Sequence, residues 1–581
     1  MSKLTASQQS FCLLLICLLI VADTIVLHDR EFWYEEARSV IRKRLADSDV
    51  LRGQRVSAKN VILLVGDGMG VSTLTAARIF KGQRLGQSGE EHYLAWDEFP
   101  ALALAKTYNL DGQIGESSAC ATALVCGVKA RLETVGLDAG GRFQNCTSSL
   151  LARVDSLVDW AQTQGKATGI VTNSRITHAT PAALYGHAAS RYWEDDGKVP
   201  PPARKSCKDI ARQLVEDDPG RHVNVLLGGG RRHWLPKVAK DPELVAEEGR
   251  RLDGRNLIDD WVRDKKRRNL RGEYVWNKEQ MDKIDPSKTD HLLGLFAYSH
   301  MDFEADRDDK TDPSLAEMTK KALEFLLKNP RGFFLFVESG RIDHAHHYNN
   351  PYRALDETLV LESALLVVLS LVNLSETLIV VTSDHSNVMT LGGLSTPRGN
   401  PILGMDTKNS DIDGNAYSTI LYGNGPGYSA PRAVPSNTTT EKNAVHSSAV
   451  PRQWATHGGE DVPVYARGPL ASVLFSGTVD QSYIPHAIAY IACLGEYSQR
   501  CVENQTRPLQ TCGPPEVSGV TSASGRSKDS PAVVLASSEM SDSGGSSAHQ
   551  RYNFYSAKIS NHFIQCVALL TFAVFIHFDI T

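Results

Sequence analysis

The chain has 581 residues, 42% hydrophobic and 22% charged, enough for a large core and ordinary for a globular protein. Its net charge of −5 argues against a general nucleic-acid binder, so no nucleic acid is expected as a partner. The one basic run, Arg263 to Arg271, reads as a solvated helix face or loop.

In chain order, residues 1–22 carry a Lys and then the apolar stretch Phe11 to Ala22, the pattern of a secretory signal peptide cleaved near Ala22. Glu31 to Leu45 reads as an amphipathic helix. Continuous apolar runs at Asn60–Val65, Ala167–Val171, Val223–Leu227, Phe333–Val337 and Thr377–Val381 read as strands buried on both faces. Helical stretches at Leu150–Gln164, Ser314–Lys328 and Ala354–Val372 alternate with them. The alternation predicts an α/β fold: a central, mostly parallel β-sheet flanked by helices on both faces. Residues 391–455 are rich in Gly, Pro, Ser, Thr and Asn and read as an inserted loop-rich subdomain of a body spanning 23–512. Residues 513–547 read as a flexible stalk. The small residues Ser541 to Ala548, a polar spacer and the apolar run Phe563 to Phe578 follow the order of a glycosylphosphatidylinositol (GPI) signal, so 548–581 is expected to be removed on maturation.

Ten cysteines suit an oxidising compartment. Cys12, Cys17 and Cys566 lie in the terminal signals. Cys493 and Cys501 could close a short loop and Cys146 and Cys207 a longer one; Cys120, Cys126 and Cys512 stay unassigned. Sequons at Asn145, Asn373, Asn437 and Asn504 fit a glycosylated ectodomain.

The strand ends carry the chemistry. Four runs lead into Asp67, into His178 and Thr180, into Glu338 with Asp343 and His347, and into Asp384 with His385. In open parallel sheets, ligands bind beyond the carboxyl ends of the strands. A single Asp or His there is ordinarily a turn former, a cap or a hydrogen-bonded group; four repeats weaken that reading. Imidazole with carboxylate and no thiolate suits catalytic Zn²⁺, and oxygen ligands alone suit Mg²⁺. Asp343 and His347, four apart, can share one helical face and one metal. Ser117 opens an Ala-rich helical stretch. A serine there ordinarily caps, but free N–H groups and the helix dipole also favour anions. Beside a zinc ion, it could serve as a nucleophile.

From Phe32 to Cys501 the chain resembles the animal, membrane-bound alkaline phosphatases. The resemblance rests on NVILLVGDGMGVSTLTAARI, CGVKA, THATPA, LGGGR, FFLFVESGRIDHAHH, ALDET, TSDHS, LYGNGPGY and THGGEDVPVYARGP. It implies hydrolysis of phosphate monoesters through a phosphoserine on Ser117, with two Zn²⁺ and one Mg²⁺. Asp67, Ser117, Asp384 and His385 would hold one zinc, and Asp343, His347 and His457 the other. Asp67, Thr180 and Glu338 would hold magnesium, and Arg191 would bind phosphate. His178 and His346 would orient ligands or magnesium-bound water, and Glu116 would help hold Arg191. It also implies Cys146–Cys207 and Cys493–Cys501 disulfides, a homodimer, and a GPI-anchored place on the outer face of the plasma membrane. A calcium site would use Glu243, the Phe296 carbonyl and Asp312. It is expected to be weak or absent, because Ala297 stands where the family has a further carboxylate. The family has Asp before the nucleophile and Gly or Ala after it; Glu116 and Ser118 differ. The rival readings are a phosphodiesterase or sulfatase of the same superfamily, and a surface receptor or adhesion protein on a phosphatase scaffold.

Overall fold

A computed structural model describes residues 28–46, 48, 56–394, 396–433 and 439–502. Its ten-stranded sheet uses β1 (Asn60–Gly66), β2 (Ala101–Lys106), β3 (Ala167–Arg175), β4 (Val225–Gly229), β5 (Gly272–Val275), β6 (His291–Leu295), β7 (Phe333–Ser339) and β8 (Thr377–Thr382). After two small sheets, β14 (Val462–Arg467) and β15 (Ser476–Asp480) complete it. The order is β15-β2-β14-β8-β1-β7-β3-β4-β6-β5. Only β14 runs antiparallel to its neighbours, so the expected mostly parallel sheet is present.

The apolar runs are continuous because each strand feeds two cores. In β1, Val61, Leu63 and Val65 join one core while Ile62 and Leu64 join the other. In β7, Phe334 and Phe336 face the first; Phe333, Leu335 and Val337 face the second. Helices cover both faces, as parallel sheets require. On one side lie α1 (Arg30–Ala46), α3 (Ser117–Cys126), α4 (Leu157–Thr163) and α8 (Tyr483–Ala492); on the other lie α2 (Val71–Arg84), α5 (Leu315–Leu326) and α7 (Pro351–Leu371). Between β7 and α7 sits the short α6 (Arg341–His347).

The expected helix over Leu150–Gln164 is broken. A short helix ends at Leu151, and α4 starts afresh behind Ser156, whose hydroxyl accepts from the Asp159 N–H while Asp159 accepts from the Ser156 N–H at 2.8 Å. This reciprocal capping box outweighs the helical pattern around it. Strand β2 escapes sequence reading because its pattern is inverted: Ala101, Ala103 and Ala105 are buried, whereas Leu102 and Leu104 are exposed.

The segment 391–455 is more ordered than its composition suggests. A three-stranded sheet joins β10 (Met389–Leu391), β11 (Ile420–Gly425) and β12 (Ser448–Pro451), and β9 (Ser386–Asn387) pairs with β13 (His457–Gly458). Buried Asn349 ties this sheet to the body. Its Nδ2 donates to the Asn424 carbonyl at 3.1 Å, and its Oδ1 accepts from the Gly427 N–H at 2.9 Å.

The signal, stalk and anchor segments, together with Cys512, Asn437 and Asn504, lie outside the described residues. No described helix is long and apolar enough to cross a membrane.

Phe336 is fully buried in the central strand. Phe336→Ala is expected to lower unfolding stability by about 3–5 kcal/mol, read by denaturant titration of the metal-loaded protein.

Candidate active site

Parallel register delivers the site to one rim. Val65 of β1 lies beside Glu338 of β7 and Thr382 of β8, and Glu338 lies beside Thr172 of β3. One or two residues further on, the chain turns and presents Asp67 and Asp384. The turn after β1 requires Gly68 at φ +73°; a Cβ there would come within 2.9 Å of the Asp343 Cβ. That closeness brings α6 against the end of β1.

Asp67, Asp343, Asp384 and Glu338 are all at least 97% buried. Burial drives Asp67 well above the usual carboxylate range, and the Asp384, Asp343 and Glu338 charges drive it further. Burial and Asp343 raise Asp384 to about 7; burial and the Asp384 and Asp343 charges raise Glu338 to about 7, against a lowering hydrogen bond from Thr172. Asp343 is the exception. Burial pushes it up, but the imidazoles of His347, His457 and His385 hold it well below its ordinary value. Both oxygens of Asp67, Asp384 Oδ2, Glu338 Oε1 and Thr180 Oγ1 are buried without a hydrogen-bond partner. Orphaned buried oxygens facing like charges are the pattern of a cation site.

The imidazoles are oriented for the same purpose. His347 Nδ1 donates to the Ala455 carbonyl at 2.7 Å, His457 Nδ1 to Gly115 at 2.9 Å, and His385 Nδ1 to Ser386 at 3.1 Å. At His457 and His385 this leaves Nε2 as the acceptor of a neutral ring, the tautomer a metal ligand needs; at His347 burial lowers the pKa, but the Asp343 charge outweighs it, so Nε2 donates to that carboxylate. His347 Nε2 lies 3.0 Å from Asp343 Oδ2, and His457 Nε2 lies 3.7 Å from Asp343 Oδ1. His385 Nε2 lies 3.3 Å from Asp384 Oδ2 and 3.6 Å from Asp67 Oδ1. Asp343, His385 and His457 form one compact donor group; Asp67, Asp384 and His385 form a second; Asp67, Glu338 and His178 form a third. All three mix nitrogen with oxygen, and the first two have the imidazole and carboxylate donors that zinc accepts. In the third, the Asp67 and Glu338 carboxylates with the Thr180 hydroxyl are the oxygens magnesium prefers. The donor set therefore fits the metals implied by the sequence.

Ser117 Oγ lies 3.2 Å from His385 Nε2. The start of α3 is not the open anion site its position suggests. Glu116 turns its own carboxylate onto the helix, accepting from the N–H groups of Ser118 at 3.0 Å and Ala119 at 2.9 Å. The same carboxylate takes the Ser118 hydroxyl at 2.6 Å, the Glu133 N–H at 2.7 Å and Arg191 Nη1 at 2.9 Å. Burial raises this carboxyl, but Arg191 and these donors outweigh it and keep it below its ordinary value. Arg191 Nη2 faces His178 Nε2 at 3.2 Å. Glu116 thus caps the helix and fixes the arginine together.

One expected role is not met. His346 points away from the carboxylates because α6 turns its i+3 position from Asp343 toward the second core; it bonds the Thr73 hydroxyl at 3.0 Å and the Tyr422 hydroxyl at 2.9 Å. His344, which sequence reading passed over, instead lies next to His178. At the calcium position, Glu243 is ion-paired with the buried Arg231, whose Nη1 donates to the Leu295 carbonyl at 2.9 Å. Arg231 also grips Asp241 at 2.8 Å. Asp312 feels the charges of Glu243, Asp302 and Asp308 after burial, but no donor group of three includes Glu243 or Asp312 among the described residues. A guanidinium takes up the charge a calcium ion would neutralise, so these residues do not fit the ion.

The Cys146–Cys207 and Cys493–Cys501 disulfides are formed, and Cys120 and Cys126 are free and buried. Asn145 and Asn373 are exposed. A cleft of 820 Å³ lies against Lys166, Asn224 and Asp290 at the opposite ends of the strands and contains none of these groups.

Fold and donor groups define a hydrolase-type metal centre at the carboxyl rim of a parallel sheet. The sequence profile of the alkaline phosphatase family matches residues 58–494, and the chain belongs to that family. It is 47% identical to the tissue-nonspecific alkaline phosphatase of Gallus gallus, over 83% of this chain and 93% of that one. It is 42% identical to the membrane-bound alkaline phosphatase of Bombyx mori, over 83% and 88%. The alkaline phosphatase of the Antarctic bacterium TAB5 shares the fold, with a TM-score of 0.53 and 23% identity over 76% of this chain and all of that one.

Two outcomes follow from the electrostatics. Asp384 and Glu338 titrate near 7 when no cation is present, against about 4 unfolded. Their raised values stabilise the metal-free fold below about pH 4, and that contribution is lost as pH rises through 7. The melting temperature of chelated protein should therefore fall from pH 5 to pH 8 relative to metal-loaded protein; parallel curves would oppose this. Glu116→Gln removes the charge that holds Arg191, so the inhibition constant for phosphate should rise about tenfold, the weight of one charged hydrogen bond.

Proposed function

We propose that the chain is a metal-dependent alkaline phosphatase that hydrolyses phosphate monoesters through a covalent phosphoserine on Ser117. The observation that carries this reading is the buried donor set around Ser117: three carboxylates with orphaned oxygens, a fourth, Asp343, and three imidazoles that turn Nε2 toward these acids. Asp67, Asp384 and His385 would hold one zinc, Asp343, His347 and His457 a second, and Asp67, Glu338 and Thr180 a magnesium ion. Bound metals supply Lewis acidity, lowering the pKa of a nearby hydroxyl and drawing charge from phosphoryl oxygens.

The protein groups do the positioning. Arg191 offers two N–H groups in a fixed plane, which suits a phosphoryl group gripped by two oxygens. Glu116 aims it. Ser117 is held at the first turn of α3, beside His385, where its oxygen can attack phosphorus. The ester oxygen then leaves with the bonding electrons, and water returns the serine with release of phosphate. Because recognition centres on the phosphoryl group, the alcohol part is free to vary.

The signal sequence, stalk and terminal apolar tail support a GPI-anchored place on the outer face of the plasma membrane. Resemblance to the animal enzymes supports a glycosylated homodimer. The diesterase reading is less favoured, because Arg191 and a third metal group suit a phosphoryl group with several free oxygens.

Hydrolysis of a chromogenic monoester at alkaline pH tests the reading. Chelator should abolish turnover, and Ser117→Ala should lower it at least about a thousandfold, the scale of a lost nucleophile. A faster rate on a diester or sulfate, or an active Ser117→Ala protein, would contradict it.

A further inference from the structure

Lys129, from the CGVKA stretch, is an almost wholly buried cation with no part in the chemistry derived above. Its Nζ donates to the carbonyls of Tyr108 at 2.7 Å and Lys106 at 3.0 Å, and lies 3.4 Å from Asp480 Oδ1. Asp480 ends β15 beside Lys106 in parallel register and accepts from the Ser482 N–H at 3.0 Å and the Ser482 hydroxyl at 2.9 Å. These contacts bracket one residue, Gln481, whose own N–H shares the Lys106 carbonyl at 3.3 Å. A buried ion pair holds its place, because parting the charges would leave each unmet. The backbone at Gln481 is therefore pinned from both sides.

The Gln481 side chain is fully buried and reaches the turn after β8, where Nε2 donates to the Asp384 backbone carbonyl at 2.7 Å. Only the nitrogen of the amide can donate to a carbonyl, which sets the way the side chain faces. Its Oε1 is buried without a partner among the described residues. An amide with an unmet oxygen is a poorer choice for stability than an apolar side chain of the same size, so the contact made by Nε2 is what the residue contributes.

That carbonyl belongs to the peptide joining Asp384 to His385. The N–H of the same peptide donates to Asp384 Oδ1 at 2.9 Å, and the Gly68 N–H donates to that oxygen at 3.1 Å. One peptide plane thus has its oxygen fixed by Gln481 and its N–H fixed on the carboxylate, and a planar peptide cannot move one end without the other. With Oδ1 engaged, Oδ2 is the orphaned oxygen, 3.3 Å from His385 Nε2. Rotation of the plane would release Oδ1, turn Oδ2 away and swing His385, whose Nε2 lies 3.2 Å from Ser117 Oγ.

We propose that Gln481, seated by the Lys129–Asp480 pair, is the positioning residue for Asp384 and His385, and so sets zinc affinity at the group they form with Asp67. It rests on the reading of that group as a zinc site.

The parent and Gln481→Met, which keeps the length of the side chain and loses the amide, are compared as purified full chains. Chelator competition gives the zinc dissociation constants, and anomalous diffraction at limiting zinc assigns them to the two groups. In Gln481→Met, affinity at Asp67, Asp384 and His385 should fall at least about tenfold, the scale of a lost partner behind a metal ligand, while affinity at Asp343, His347 and His457 stays within about threefold. Equal weakening of both groups would mark a general loosening of the fold and overturn the proposal, as would unchanged affinity at both. If the variant does not fold, the parent decides: in metal-loaded crystals Gln481 Nε2 must stay within about 3.2 Å of the Asp384 carbonyl, and an amide turned away would overturn the proposal. Parent protein that takes up zinc at neither group would contradict the metal reading itself and this proposal with it; zinc bound normally by parent and variant alike would contradict the proposal alone.

Discussion

Four carboxylates that repel one another, buried at the rim of a parallel sheet, are the constraint on which the rest of the molecule depends. Asp67, Asp343, Asp384 and Glu338 come from three strand ends and one short helix. Like charges brought out of water cost several kcal/mol each unless something opposite meets them. Three imidazoles relieve Asp343, but nothing in the chain answers the orphaned oxygens of Asp67, Asp384 and Glu338. The fold holds an arrangement that only bound cations complete.

The surroundings are built to keep that arrangement rigid. Backbone carbonyls of Gly115, Ala455 and Ser386 hold the rings of His457, His347 and His385. Two of those carbonyls lie in segments remote from the central strands, so the loops after β2 and β12 help set the site. Glu116 spends one carboxylate on three tasks: capping α3, anchoring the Glu133 backbone and aiming Arg191. A shorter Asp would have to share these partners across one fewer methylene, so this chain has its own solution to holding the arginine.

Much of this was legible in the sequence, for physical reasons. Strands buried on both faces give unbroken apolar runs, which is why β1, β3, β7 and β8 were readable, and the residues just past them were the natural place for ligands. Strand β2 was hidden because alanine faces inward and leucine outward. The break before α4 lay in one reciprocal cap rather than in any change of periodicity. His344 and His346 could not be told apart by spacing, since both lie within a turn of Asp343; only the direction of α6 separates them. His300 stood in no motif at all, and its place beside His178, His344 and Arg175 is set by the fold alone. The calcium position shows the converse: Ala297 already signalled a weakened site, and Arg231 supplies the positive charge in its place.

The account stands on cations meeting the orphaned oxygens. The most direct measurement is anomalous diffraction from crystals of the purified ectodomain, collected on both sides of the zinc absorption edge. The account predicts zinc peaks between Asp343, His347 and His457 and between Asp67, Asp384 and His385. A catalytically active crystal with no anomalous peak at either position would contradict it.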